Sequence, residues 1–235
     1  MRKCIALVFV LLAPALFPEL NGQETPHPQI DPQPARYESH HSIRVGSETV
    51  EYDAVVGSII LRGGEEEATG EIFYTAYFRT GVEGQASRPI MFSYNGGPGS
   101  ASFWLHMGIM GPRRVVTPVV GHQAPPPHTL EDNQYTLLDK TDIVMIDPVG
   151  TGFSRPLGDT PGSDFWGIDE DAASLTQFIR RFLSQYRRWN SPRYLLGESY
   201  GTTRSAVLAR HLQRANMDLN GIVLVSAVLD FRTIQ

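Results

Sequence analysis

Gly197-Glu198-Ser199-Tyr200-Gly201 is the stretch of this chain whose residue types and spacing could do covalent chemistry. A serine with glycine two positions away on each side fits the G-x-S-x-G nucleophile elbow. In that turn a strand feeds a helix so sharply that the serine hydroxyl is lifted out of the sheet. The chemistry would be acyl transfer, which needs a nucleophile, a base, an orienter for the base and donors for the oxyanion. Ser199 would supply the nucleophile, and the amide of Tyr200 one oxyanion donor. The second donor is expected from a loop that follows an earlier strand. Asn95-Gly96-Gly97-Pro98-Gly99-Ser100 stands at such a place, and its glycines let backbone amides approach a ligand closely.

The elements around these segments must hold them at one end of a sheet. Arg193 to Leu196 reads as the end of a buried strand, and Thr202 to Ala215 as the helix after the elbow. Pro89 to Tyr94 is a strand running into the glycine loop, and Asp142 to Asp147 is a further buried strand. Ile168 to Trp189 reads as a long amphipathic helix, with Leu175, Phe178, Ile179, Phe182, Leu183 and Tyr186 at helical spacing. Asn220-Gly221 precedes another apolar run, Ile222 to Leu229, expected to be buried. Earlier, Thr49 to Leu61 and Glu71 to Thr80 are rich in β-branched and aromatic residues around Gly63-Gly64, a hairpin signal. Prolines at 112, 118 and 125 to 127 exclude long regular elements from residues 106 to 140. Strands interleaved with helices imply a parallel sheet covered on both faces. The expected fold is therefore α/β: a mixed sheet with an antiparallel start and a parallel centre, the α/β-hydrolase plan.

Composition narrows the partners. The chain has 235 residues, 41% hydrophobic and 19% charged, which suits one sizeable globular domain. A net charge of −5 without a basic block argues against nucleic acid or an anionic membrane as a partner. Arg180, Arg181, Arg187 and Arg188 read as the solvated face of one helix. The single cysteine, Cys4, allows neither a disulfide framework nor a cysteine zinc site. Met1-Arg2-Lys3, a short apolar core and Ala13-Pro14-Ala15 read as a secretory signal peptide over residues 1–22, too short for a comfortable membrane span. Residues 23–40, with Pro26, Pro28, Pro32 and Pro34, read as a flexible tether, and 41–235 as the domain. The expected location is secreted or periplasmic, without membrane attachment once the leader is removed.

Three segments together resemble the signatures of the serine carboxypeptidases: Asn95-Gly96-Gly97-Pro98-Gly99, then Asp147-Pro148-Val149-Gly150-Thr151-Gly152-Phe153-Ser154, then Gly197 to Gly201. Order and spacing agree, and the resemblance spans residues 50 to 230. It implies Ser199 as nucleophile and the amides of Gly97 and Tyr200 as the oxyanion hole. It implies Asn95, the Gly96 amide and Glu198 as the group that holds the free C-terminal carboxylate of a peptide substrate. It calls for no cofactor and no metal. Glu198 and a substrate carboxylate cannot both ionise cheaply at close range, so activity is expected to favour acidic pH. Two positions depart from the pattern: Ser93 where many relatives have tryptophan, and Ser100 where many have cysteine.

Asp147 precedes Ser199, whereas α/β-hydrolases run in the order serine, acid, histidine. Asp147 is expected instead to brace the Gly150-Thr151-Gly152 turn through side-chain hydrogen bonds. The one histidine after Ser199 is His211, about three turns or ~18 Å along the elbow's own helix, too far to act as its base. The triad acid and histidine are therefore expected to be absent, the chain to lack the C-terminal strands and cap, and the fragment alone to have little activity. Alternatives on the same scaffold are an acyltransferase or esterase, a proline iminopeptidase-like hydrolase, and a non-catalytic binding remnant.

Overall fold

The computed structural model describes residues 31–64, 66–116, 126–230 and 232. The strands are β1 Arg36–Val45, β2 Glu48–Arg62, β3 Ala68–Arg79, β4 Ile90–Tyr94, β5 Arg113–Val115, β6 Leu130–Asp132, β7 Asp142–Ile146, β8 Arg155–Pro156, β9 Arg193–Glu198 and β10 Gly221–Val225. The helices are α1 Phe103–Leu105, α2 Ile168–Gln185 and α3 Tyr200–Arg214. The signal-peptide reading of residues 1–22 lies outside the described residues. Among those described, no helix is long and apolar enough to cross a membrane.

Seven strands follow one another across the main sheet in the order β1-β2-β3-β7-β4-β9-β10, and β8 pairs with β3. The first three and the β3–β7 pair are antiparallel. From β7 through β4 and β9 to β10 all pairs are parallel. The expected antiparallel start and parallel centre are both present. Among the described residues between 106 and 140 the elements are short, as the prolines lead one to expect.

The central parallel strands β4 and β7 are apolar because both of their faces are covered. Phe92 and Tyr94 of β4 and Val144 and Ile146 of β7 join Leu175, Phe178 and Phe182 of α2 and Leu208 of α3 in one core. Met91, Ile143 and Met145, alternating with them, face a second core with Leu105, Met110 and Leu138. Each fully buried side chain of this kind contributes about 1.5–3 kcal/mol.

Four expectations need correction. β1 opens at Arg36, inside the segment read as tether up to residue 40. Its polar, exposed residues carry no apolar alternation, and pairing along β2 is what makes it a strand. Helix α2 stops at Gln185 rather than running to Trp189, since Arg187 takes φ 55°. That reversal turns Arg188 inward, so it is not part of a solvated face: it is buried, and its Nη1 donates to Asp142 Oδ2 at 2.5 Å. Finally, the run in β10 is not buried. Ile222, Val223 and Leu224 stay about two-fifths exposed, because β9 is the one strand paired with β10 among the described residues.

Asp142 is fully buried at the first residue of β7 and accepts from Arg88 Nε at 2.9 Å and from the Arg79 amide at 3.0 Å, besides Arg188. Asp142→Asn is expected to cost about 1.5–3 kcal/mol, the worth of hydrogen bonds to a charged group. Urea denaturation measures it. Ligand binding at the opposite, C-terminal end of the same strand should be unchanged.

Candidate active site

Parallel neighbours end in register: Tyr94 of β4 lies opposite Gly197 of β9, and Ser93 opposite Met145 of β7. The three motif segments therefore leave the sheet side by side at the C-terminal ends of its strands, where open α/β sheets bind ligands. At the elbow Ser199 takes φ 55° and ψ −124°, a conformation that costs a non-glycine residue about 1–3 kcal/mol. The surroundings hold it there. The Ser199 amide donates to the Val225 carbonyl at 2.9 Å, and Thr202 donates through both its amide (2.9 Å) and its hydroxyl (2.7 Å) to the Ser199 carbonyl. A methyl group on Gly197 would stand 2.1 Å from the Gly201 carbonyl oxygen, so the turn closes only on glycine.

Helix α3 begins at Tyr200, immediately after the serine. Its first amides and its dipole favour negative charge there, as an oxyanion requires. The glycine loop packs directly against this turn: a Cβ on Gly96 would lie 2.4 Å from the Tyr200 nitrogen and 2.6 Å from the Glu198 carbonyl oxygen. Gly97 has φ 105°, which a side chain would not permit.

Asn95 and Glu198, far apart in sequence, meet here. Asn95 Nδ2 donates to Glu198 Oε2 at 3.0 Å, while Asn95 Oδ1 accepts from the Leu105 amide at 3.0 Å. The asparagine is 1% exposed, so its amide group is locked in one orientation. Glu198 and Ser199 are both partly exposed at the mouth of the site. All six residues read from the sequence as nucleophile, oxyanion or carboxylate groups thus lie in two abutting segments, the glycine loop and the turn from β9 into α3.

Two buried residues that stand in none of the three motif segments, Arg204 and Asp171, lie against these groups. Arg204, 3% exposed, donates from Nε to Asp171 Oδ2 at 2.6 Å and from Nη1 to the Asn95 carbonyl at 2.7 Å. Its guanidinium lies 5.4 Å and 5.1 Å from the ring centres of Tyr94 and Tyr200. Burial pushes the Asp171 carboxyl above the usual carboxylate range, and Arg204 opposes that rise. Spacing could have found the pair. Tyr200, Arg204, Leu208 and Leu212 form the inward stripe of α3, and Asp171, Leu175 and Phe178 that of α2. Opposite charges on two facing apolar stripes have to pair.

Asp147 acts differently from expectation. Its carboxylate accepts from the Ser102 amide at 2.8 Å, a hydrogen bond to the residue that precedes α1 and not to the following turn. The turn is closed by the Asp147 main-chain carbonyl, which accepts from Ser154 Oγ at 2.7 Å, and by Gly150 donating to the Ser154 carbonyl. The carboxylate is packed so closely against Gly152 that a Cβ there would meet Oδ2 at 2.2 Å.

Among the described residues no histidine hydrogen-bonds Ser199. His211 pairs with Asp169 at 2.9 Å, bridging α3 to α2. His106 is engaged with the Tyr77 hydroxyl, and burial pushes its imidazole down to about 4, so it is neutral above that pH.

Residues 61–233 match the serine carboxypeptidase family. The chain is 26% identical over 209 residues to serine carboxypeptidase-like 45 of Arabidopsis thaliana, covering 82% of this chain and 41% of that protein. It is 30% identical over 118 residues to the pheromone-processing carboxypeptidase KEX1 of Saccharomyces cerevisiae, covering 49% of this chain and 15% of that protein. The crystal structure of KEX1 superposes with a TM-score of 0.61 at 23% identity, over 74% of this chain and 38% of that one, so the two share the α/β-hydrolase fold. The chain spans less than half the length of these curated relatives.

Proposed function

This chain belongs to the serine carboxypeptidase family, and on that premise we propose that its protein releases C-terminal residues from peptides through an acyl-enzyme on Ser199. The observation that carries the reading is the Asn95 Nδ2–Glu198 Oε2 hydrogen bond of 3.0 Å beside the nucleophile. An esterase elbow has no need of a buried amide holding a carboxyl group at the site mouth. A peptide's terminal carboxylate fits there, hydrogen-bonded by Asn95 and the Gly96 amide and sharing one proton with Glu198. The scissile carbonyl then lies over Ser199, whose attack places negative charge between the Gly97 and Tyr200 amides at the start of α3. The C–N bond breaks, the amine leaves with a proton, and water releases the acyl group. The base that moves these protons, and its orienting acid, are not among the described residues.

Because the shared proton must come from solution at neutral pH, binding should weaken as pH rises. Calorimetric titration with a blocked dipeptide bearing a free C-terminus, and with its C-terminal amide, tests the reading without requiring turnover. At pH 5 the acid is expected to bind more tightly than the amide by about tenfold to a hundredfold, the worth of charge-assisted hydrogen bonds of ~1.5–3 kcal/mol. Glu198→Gln, which donates a hydrogen bond at every pH, should flatten the pH dependence. Ser199→Ala should leave binding intact. Equal affinity for acid and amide sinks the proposal. The location outside the cell read from the leader belongs with it and is tested by fractionation.

A further inference from the structure

The chain that leads away from the glycine loop is tied down at two points, and the second has no role in the site as described so far. At the first, the Leu105 amide donates to Asn95 Oδ1 at 3.0 Å, the bond that turns Asn95 Nδ2 toward Glu198. His106–Met110 then form a single π turn, a rare element that occurs frequently at functional sites. The Gly111 amide closes it, donating at 2.9 Å to the His106 carbonyl five residues back. A Cβ on Gly111 would stand 2.3 Å from that oxygen, so the turn closes on glycine.

The second point is the far end of the turn. A helical end leaves carbonyls without partners, and burying them unpaired is costly. Here three consecutive carbonyls are taken up by two side chains from the segment after β6. Asn133 Nδ2 donates to the Ile109 carbonyl at 2.7 Å and to the Gly111 carbonyl at 2.8 Å. Thr136 Oγ1 donates to the Met110 carbonyl between them, also at 2.7 Å. Asn133 Oδ1 accepts from the Tyr135 amide at 3.1 Å, and a backbone amide can only donate, so the Asn133 side chain has one orientation. The Asn133 amide in turn donates to the Pro112 carbonyl at 2.8 Å, which fixes the clamp to the chain it holds. Asn133 and Thr136 are both buried.

We propose that Asn133 is a positioning residue for the carboxylate-binding group. By holding the far end of the π turn it fixes the Leu105 amide, and that amide decides which end of the Asn95 side chain faces Glu198. Asparagine carries a donor and an acceptor on one planar group. With the Leu105 amide displaced, Asn95 is free to rotate and to set its oxygen, instead of its NH₂, against Glu198 and a bound carboxylate. Asn133 thus acts through the turn and not on the substrate. The role rests on the reading of Asn95 and Glu198 as the carboxylate group.

The experiment titrates the full chain calorimetrically at pH 5 with N-acetyl-Phe-Ala and N-acetyl-Phe-alaninamide, and reads the ratio of the two affinities. Asn133→Ala is expected to lower the preference for the acid by about tenfold while affinity for the amide stays within about twofold, since misplacement of a remote support is felt at the group it orients. Thr136→Val, which removes one hydrogen bond of the clamp, should lower it by about threefold and carries the test if Asn133→Ala does not fold. Asp142→Asn, destabilising but at the opposite end of β7, should leave the ratio unchanged, which separates positioning from a general loss of stability. A double-mutant cycle fixes the route: in an Asn95→Ala background, Asn133→Ala or Thr136→Val should leave the remaining preference within about twofold. Clamp variants that keep the parent's acid preference overturn the proposal, and so does an equal loss with and without Asn95. A parent chain that binds acid and amide alike overturns the carboxylate reading itself, so the two failures are distinguishable.

Discussion

Replacing Arg204 with methionine is expected to cost about 3–5 kcal/mol of folding stability, a large share of the ~5–15 kcal/mol that a domain possesses. The loss comes less from the missing hydrogen bonds than from what stays behind. Asp171 lies on the inward stripe of α2, and its buried carboxylate would have no cation facing it. Removing both charges, in an Arg204→Met, Asp171→Leu double variant, should recover most of the stability, because apolar residues of similar volume replace buried pairs at little cost. Urea denaturation of the two single variants and the double variant closes the cycle.

The pH dependence has a definite sign. Burial already raises the folded-state pKa of Asp171, and Arg204 is what restrains it. Without Arg204 the folded state favours the neutral acid more strongly. The penalty is then present above the folded pKa and relieved as pH falls toward the ordinary carboxylate value, ~3.9. Arg204→Met should therefore be least damaging in acid. A penalty that is constant or grows as pH falls would contradict the ion-pair account. The double variant also separates stability from function. Folded but without the guanidinium that holds the Asn95 carbonyl, it should discriminate poorly between acid and amide peptides.

What was legible in the chain follows from how local each constraint is. The elbow and the glycine loop are written in residue types that steric contact demands, as the 2.1 Å approach at Gly197 shows, so a short window reveals them. The Asn95–Glu198 contact joins the residue after β4 to the end of β9, neighbours in space that are distant in sequence, and only the family resemblance points to it. The Arg204–Asp171 pair needed two helix stripes to be compared at once, although each helix by itself was plain from its apolar period. The apolar period carries the helix past Gln185 and so puts Arg188 on its solvated face, but a single residue at positive φ, Arg187, reverses the chain before it. The apolar letters of β10 suggest burial, but burial depends on what lies against a strand, and letters alone do not carry that. Proximity in sequence pairs Asp147 with the nearest turn, whereas in the fold its carboxylate accepts from the more distant Ser102 amide.

Gly96→Ala is the substitution expected to damage function most for its size. The added methyl would point into backbone on three sides: the Tyr200 nitrogen at 2.4 Å, the Glu198 oxygen at 2.6 Å and the Gly201 nitrogen at 2.9 Å. None of these is the end of a flexible side chain, so either the glycine loop withdraws or the first turn of α3 moves. Overpacking of this kind costs about 1–3 kcal/mol in stability. The effect on the site should be larger, because the Tyr200 nitrogen and Glu198, the partner of Asn95, both border that contact. Loss of one oxyanion donor lowers turnover by about 10²–10³, and the same displacement should abolish the preference for a free carboxylate, which can be measured without turnover. Gly64→Ala is the matched control, since nothing lies within 4 Å of a Cβ there, and it should change stability by no more than ~0.5 kcal/mol. If Gly96→Ala keeps both the melting temperature and the acid-over-amide preference of the parent, then the two loops do not act as one rigid site. The assignment of the oxyanion hole to Gly97 and Tyr200 would fall with that rigidity.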